Sequence, residues 1–207
     1  MSVADPAEGH VLALAEGATL TLARASRTAL VGGGATTLLA SLAAEPGAAL
    51  ILADHTAPLH VALGVGEQIA VALGGIRRAA LDRATDLLEA AGVPDPHHRV
   101  SARPHQLSAL DRQRAQLALA LANAPALVLA EDPAAGLDPA DTAAFATSVT
   151  RLHARLGFTL VVAADRPGTV ERLVEEILLL EAGRVRERRR RVQSSASSAS
   201  SASSSST

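Results

Sequence analysis

The sequence predicts an α/β fold: a parallel sheet covered by helices on both faces, with a helical insert in the middle of the chain. Two observations carry this. Short runs at residues 28–31, 49–53, 126–130 and 158–163, apolar apart from Thr28 and Thr159, have the composition of strands buried on both faces. Between them lie longer stretches in which apolar residues recur every three or four positions, the period of a helix packed on one side. The 207 residues are 48% apolar and 19% charged, which at about 150 residues per domain suits one soluble domain with appendages. Phe145 and Phe158 are the only aromatic residues other than histidine, so Ala, Leu and Val must build the core.

In chain order, Leu20 and Leu22 follow a Glu16-Gly17 turn and alternate with polar residues, which suggests a hairpin. Residues 28–31 form a strand that runs into Gly32-Gly33-Gly34, after which 36–44 read as a helix; 49–53 form the next strand. Ala80, Leu81, Ala84, Leu87, Leu88 and Ala91 mark a helix over 79–91, stopped by Gly92. The Pro-containing stretch 93–103, with His97-His98, reads as a loop. A helix over 108–122, a strand at 126–130, and a helix carrying Phe145, Val149, Leu152 and Leu156 up to Gly157 follow. Strands at 158–163 and 176–180 complete the sheet. The Arg184 to Arg191 region is a basic run, and the Ser/Ala tract at 193–207 has nothing large to bury and is expected to be a disordered tail behind a domain at 1–192.

Composition excludes several function classes. All nineteen basic residues are Arg, so Schiff-base chemistry and any lysine-dependent phosphate clamp are ruled out. Without cysteine there is no disulfide, thiolate metal site or thiol nucleophile. The scarcity of aromatics argues against base-stacking, and a net charge of −2 gives no global attraction to nucleic acid, so no specific nucleic-acid partner is expected. No run reaches the length of a membrane span, and the N-terminus lacks a secretory pattern, which makes the cytoplasm the expected compartment. A glycine turn between strand and helix can cradle phosphate on converging backbone N–H groups; it also occurs wherever a tight turn needs no side chain.

The segment LSALDRQRAQLALALANAPALVLAEDPAAGLDP, residues 107–139, resembles the core of the ATP-binding cassette (ABC) ATPases. Leu107-Ser108 opens the position of that family's signature, and Arg112-Gln113-Arg114 continues it. Glu131-Asp132-Pro133 stands at the end of the Walker B strand, and Gly136-Leu137-Asp138 at the D-loop. The separations match, and the likeness extends over about 11–185. It implies a P-loop NTPase-like sheet core with a small helical subdomain at about 61–103. It also implies a nucleotide-binding subunit of an ABC transporter, peripheral at the inner face of the cell membrane. Such a subunit would use ATP and Mg, dock on an integral membrane partner, and form a homo- or hetero-dimer with another ABC ATPase subunit. The resemblance places Gly32, Gly33, Gly34, Thr36, Thr37 and Ser108 at nucleotide, Thr36 and Glu131 at magnesium, and Asp132 at the catalytic water. With little sequence given beyond Arg184, the C-terminal regulatory domain of some members is not expected.

Against the Walker A pattern G-x-x-x-x-G-K-[ST] the loop is about three residues short, and Ala35 stands in place of the lysine. The Walker B acids are inverted, with Glu131 at the metal and Asp132 at the water. Ala109, Leu110 and Asp111 replace the glycines and glutamine of the signature, where Leu110 would obstruct and Asp111 would set negative charge against a phosphate. Ala164 stands for the switch histidine, ahead of Asp165, and Asp54 or His55 lies near the place of the Q-loop glutamine. The expected function is therefore a degenerate ATP-binding subunit with weak or no hydrolysis. The alternative is an interaction or regulatory protein that keeps the fold and binds no nucleotide.

Overall fold

A computed structural model describes residues 9–13, 19–52 and 59–190. Strands β1 (His10–Ala13) and β2 (Thr19–Leu22) form the antiparallel hairpin expected from the opening residues; its Glu16-Gly17 turn lies outside the described residues. The main sheet consists of β3 (Arg27–Gly32), β4 (Ala48–Ile51), β5 (Leu127–Glu131), β6 (Thr159–Ala164), β7 (Glu176–Glu181) and β8 (Arg184–Arg190). Its order is β4-β5-β6-β3-β7-β8. The first five strands run parallel and β8 returns antiparallel to β7.

Period-two alternation divides the strand residues between two cores. Leu30, Leu129, Val161 and Leu178 face helix α1 (Ala35–Leu42) and the hairpin residue Leu22. Ala29, Val31, Val128, Ala130, Leu160 and Val162 face the other layer, built from α2 (Val65–Ala72), α3 (Arg78–Ala91), α5 (Ala109–Leu121) and α6 (Pro139–Leu156). Both phenylalanines are buried in this second, larger cluster. Gly92 and Gly157 end α3 and α6 in left-handed conformations (φ 88° and 67°), as their places in the sequence imply.

Three elements depart from expectation. The stretch 93–103 contains a one-turn helix, α4 (Pro96–Arg99), and is not wholly loop. Helix α2 lies within the helical subdomain expected at about 61–103, but it was not assigned as an element of its own. Its first amides find distant partners, Val65 N–H donating to the Ala102 carbonyl (2.9 Å) and Gly66 N–H to Val100 (2.8 Å). Gly66 permits that approach, because a Cβ there would stand 2.0 Å from Val100 Cγ2 and 2.7 Å from its carbonyl oxygen. Third, the basic run through Arg190 is an edge strand. Arg188 pairs with Glu176 (2.5 and 3.0 Å), Arg189 with Glu187 (2.7 and 3.1 Å), and Arg186 with Glu181. Local charge matching and the Ala182-Gly183 turn thus make a strand from a sequence of low strand propensity. The tail at 193–207 lies outside the described residues.

At the opposite end of the sheet, buried Arg27 donates to Glu175 (3.2 and 2.8 Å) and to Thr150 of α6 (2.8 Å). Beside it, the His153 ring meets Phe158 edge-on at 5.3 Å, and Nε2 lies 3.0 Å from the Ala25 carbonyl. Burial, aided by the Arg27 charge, holds the His153 pKa below its ordinary value. As pH falls, the unfolded histidine takes its proton first, so the neutral ring's contribution is complete above about 6.5 and lost below it. A His153→Gln variant should therefore lose less stability than the parent between pH 7.5 and 5.5, measured as the difference in urea midpoint.

Candidate functional site

Of the residues that the resemblance assigns to nucleotide, Gly32, Gly33, Gly34, Thr36 and Thr37 lie together at the edge of the sheet where the parallel strands end, while Ser108 stands apart at the start of α5. Strand β3 closes at Gly32, and α1 begins at Ala35 with Gly34 as N-cap in a left-handed conformation (φ 95°) and no side-chain cap. Leu38 N–H is bonded to the Gly34 carbonyl at 3.0 Å, so the amides of Ala35, Thr36 and Thr37 precede the helical ladder. Thr36 and Thr37 are exposed and Ala35 is buried at 3% exposure, within the apolar cluster of Leu38, Leu39 and Leu129.

The glycines have a packing reason of their own. A Cβ at Gly32 would sit 2.6 Å from the Leu180 carbonyl oxygen, and one at Gly34 would sit 3.3 Å from Gly183. Gly183 N–H in turn donates to the Gly33 carbonyl at 3.4 Å. The turn is therefore seated against the β7–β8 hairpin, with only Gly33 facing open space.

Glu131 ends β5 in register with Ala163 of β6, which is in register with Leu30 of β3. At about 4.8 Å per strand, Glu131 and Leu30 stand about 10 Å apart, which puts the acids and the glycine turn on the same edge. Asp132 leaves the strand with φ 34°, a left-handed conformation rare outside glycine, and its N–H donates to the Ala163 carbonyl at 2.7 Å. Buried Ala164, the last residue of β6, and exposed Asp165 just after it follow between them. Asp54 and His55 lie outside the described residues.

Ser108 is the N-cap of α5, its Oγ accepting from Asp111 N–H at 3.1 Å. The expectation for Asp111 needs correction. Its carboxylate does not face outward toward a phosphate: it is buried between Arg99 of α4 (3.3 Å) and Arg114 (3.5 Å). Leu110 is half-buried and packs on the larger core.

Oxygen donors of the kind magnesium prefers are present in Thr36 and Glu131. Among the described residues no group of three or more His, Asp or Glu is placed to hold a metal ion. The glycine turn does not fit the encircling phosphate clasp of the Walker pattern, since one residue separates Gly32 from Gly34 and position 35 faces the core. Both phenylalanines are buried, so neither offers a face to a base. Among the described residues, clefts of about 500 Å³ beside Ala146, Thr150 and Arg172 and of about 390 Å³ beside Arg172, Ile177 and Arg190 lie elsewhere.

Sequence reasoning missed Gln68 of α2. Its Oε1 accepts from His60 N–H (2.7 Å), and its Nε2 donates to the His60 and Leu63 carbonyls (both 3.1 Å), fixing the start of the insert. A lone polar residue on the Val65–Ile69 face was the available signal.

The sheet order, the helical insert and the clustering of these elements at one edge define a P-loop NTPase-type domain of the ABC ATPase kind. Solved structures share that fold. CbiO1 from Clostridium perfringens, described as part of the ABC transporter complex cbiONQ, matches with a TM-score of 0.73 at 18% identity, over 85% of this chain and 81% of that one. The dimeric ATP-binding cassette MJ0796, in a post-hydrolysis state bound to ADP and Pi, matches with 0.69 at 18% identity, over 89% and 96%. No family model matches the chain.

By sequence the chain is a relative of the ATP-binding proteins of ABC transporters. The dipeptide transport ATP-binding protein DppD of Haemophilus influenzae is 34% identical over 143 residues, 67% of this chain and 43% of that protein. DppD of Escherichia coli is 33% identical over 143 residues, 67% and 44%. The chain thus spans less than half the length of these relatives.

Proposed function

We propose that this chain is a degenerate ATP-binding subunit of an ABC transporter, with weak or no ATP hydrolysis of its own. It sits at the cytoplasmic face of the membrane on an integral membrane partner. Residues 1–192 form its nucleotide-binding-type domain and 193–207 a tail. The names of its relatives make peptide transport the process it would serve. One observation carries the loss of hydrolysis: Ala35, in place of the phosphate-binding lysine, is packed into the core directly after a two-residue turn. A missing electrostatic stabiliser of this kind costs about 3–4 kcal/mol in the transition state. Residual nucleotide contact would fall to Gly32, Gly33, Gly34, Thr36 and Thr37, with Glu131 at magnesium, Asp132 at the water and Ser108 toward a paired subunit.

Docking through the helical subdomain at about 61–103 is supported by Val61, Leu63, Val71 and Ile76, large apolar side chains left exposed in and beside α2. No helix among the described residues is long and apolar enough to cross a membrane, so a membrane partner would supply the span. The second reading, an interaction protein that binds no nucleotide, is favoured by the burial of Asp111 at the signature position.

Turnover of Mg-ATP by the purified chain should lie at or only slightly above background; robust turnover, at about 1 per second or faster and abolished in a Glu131→Ala, Asp132→Ala double variant, would sink the proposal. The thermal midpoint separates the two readings. Ligand at a hundredfold excess over Kd stabilises by about 2.7 kcal/mol, which is about 5–10 °C for a domain of this size. Such a shift, lost in the double variant, supports retained ATP binding; no shift at millimolar Mg-ATP supports the interaction protein.

A further inference from the structure

The buried carboxylate of Asp111 is the hub of a polar web that the function above does not use. Asp111 lies one turn into α5, which starts at the signature position, and it is 5% exposed. On one side its Oδ2 accepts from Arg99 Nη1 of α4 at 3.3 Å. On the other, its Oδ1 accepts from Arg114 Nη1 at 3.5 Å, and Arg114 Nε reaches Ser148 of α6 at 3.3 Å. Arg99 immediately precedes Val100. The carbonyls of Val100 and Ala102 receive the first two amides of α2, from Gly66 and Val65. Those amides begin a helix and have no intrahelical acceptor, so the position of 100–102 decides whether the first turn of α2 is satisfied. Helix α2 and its flanks carry the exposed Val61, Leu63, Val71 and Ile76.

Three bonded links therefore join the start of α5 to the exposed apolar face: Asp111 to Arg99, Arg99 through the chain to 100–102, and 100–102 to α2. We propose that Asp111 is a positioning residue which couples the signature end of α5 to the apolar face around α2, acting through Arg99 and the Val100 and Ala102 carbonyls. The importance of the coupling rests on the proposed docking role of that face, but the coupling itself stands without it. A carboxylate suits the task because charge-assisted hydrogen bonds inside a core are stronger than neutral ones, and removing one partner leaves the other guanidinium poorly solvated.

The test is amide hydrogen exchange, read by NMR on the full chain. Arg99→Gln cuts the arm toward α4 at a partly exposed position that folding tolerates, and Asp111→Asn removes the hub. Each should speed exchange of the Val65 and Gly66 amides about tenfold while the amides of β3, β5 and β6 stay within about twofold. The double variant should add little to either single one, as expected of residues on one route. Arg114→Gln cuts only the arm toward α6 and should leave Val65 and Gly66 unchanged. Unaltered Val65 and Gly66 exchange in Arg99→Gln would overturn the proposal, and so would equal acceleration in Arg114→Gln and across the strands. The Mg-ATP measurements above do not enter this readout, so the coupling and the subunit reading can fail separately.

Discussion

Lysine placed at position 35 is expected to weaken the fold and leave ATP turnover at background, although that substitution restores the residue type the Walker pattern demands. The reason is the direction of the side chain. With the loop cut to two residues, α1 begins where β3 ends, and its first residue is turned toward Leu38, Leu39, Leu129 and Val161. An ammonium pushed in there would overpack the cluster and lose hydration, while its flexible stem lets part of the charge reach the nearby surface. The net cost should be about 2–4 kcal/mol, a fall in thermal midpoint of about 4–16 °C for a domain of this length. Melting curves and an Mg-ATPase assay check it together. A stable Ala35→Lys protein with raised turnover would show that the turn can wrap phosphate after all.

Phe145→Ala should be the most damaging single truncation in the chain. Phe145 on α6 is 1% exposed and shares its cluster with Ala29, Ala118 and Ala146, small residues that have no spare reach to fill a gap. Removal of a buried phenylalanine costs about 3–5 kcal/mol, because the transfer loss and the cavity add. The expected drop in midpoint is about 6–20 °C. Leu156→Ala, at an exposed position on the same helix, should move stability by about 0.5 kcal/mol or less. Comparable losses in the two variants would mean that the core closes around the cavity.

Most of the sheet was legible because its strands are buried on both faces. Residues 126–130 and 158–163 announce themselves by an apolar composition that only Thr159 interrupts, and β5 and β6 stand within a residue or two of those bounds. The turn at Gly32 to Gly34 was equally plain, since its brevity could be counted against a known pattern. Two kinds of element were not legible. Helix α2 depends on carbonyls some 35 residues away, and strand β8 depends on glutamates of the preceding strand, so neither local sequence states its own conformation. The directions of the side chains were not legible. Asp111 was expected to confront a ligand, but Arg99 and Arg114 draw it inward, and nothing in the spacing of those arginines announces a shared carboxylate. Ala35 stands where the pattern has lysine, but its burial follows from helix register and not from residue type.

The arginine-rich margin of the sheet bears on how this protein behaves when concentrated. Among the described residues β8 has a neighbour on one side only, and an open margin of seven residues is a template on which another chain can crystallise its own strand. Laid against itself antiparallel and centred on Glu187, the sequence RVRERRR sets Arg184 against Arg190, Arg186 against Arg188 and Glu187 against Glu187. Each of those facing pairs repels, and copies that came together this way would also compete for the glutamates that Arg186, Arg188 and Arg189 already hold. The margin thus works as a selective fence against fibre-like growth, turning away its own kind.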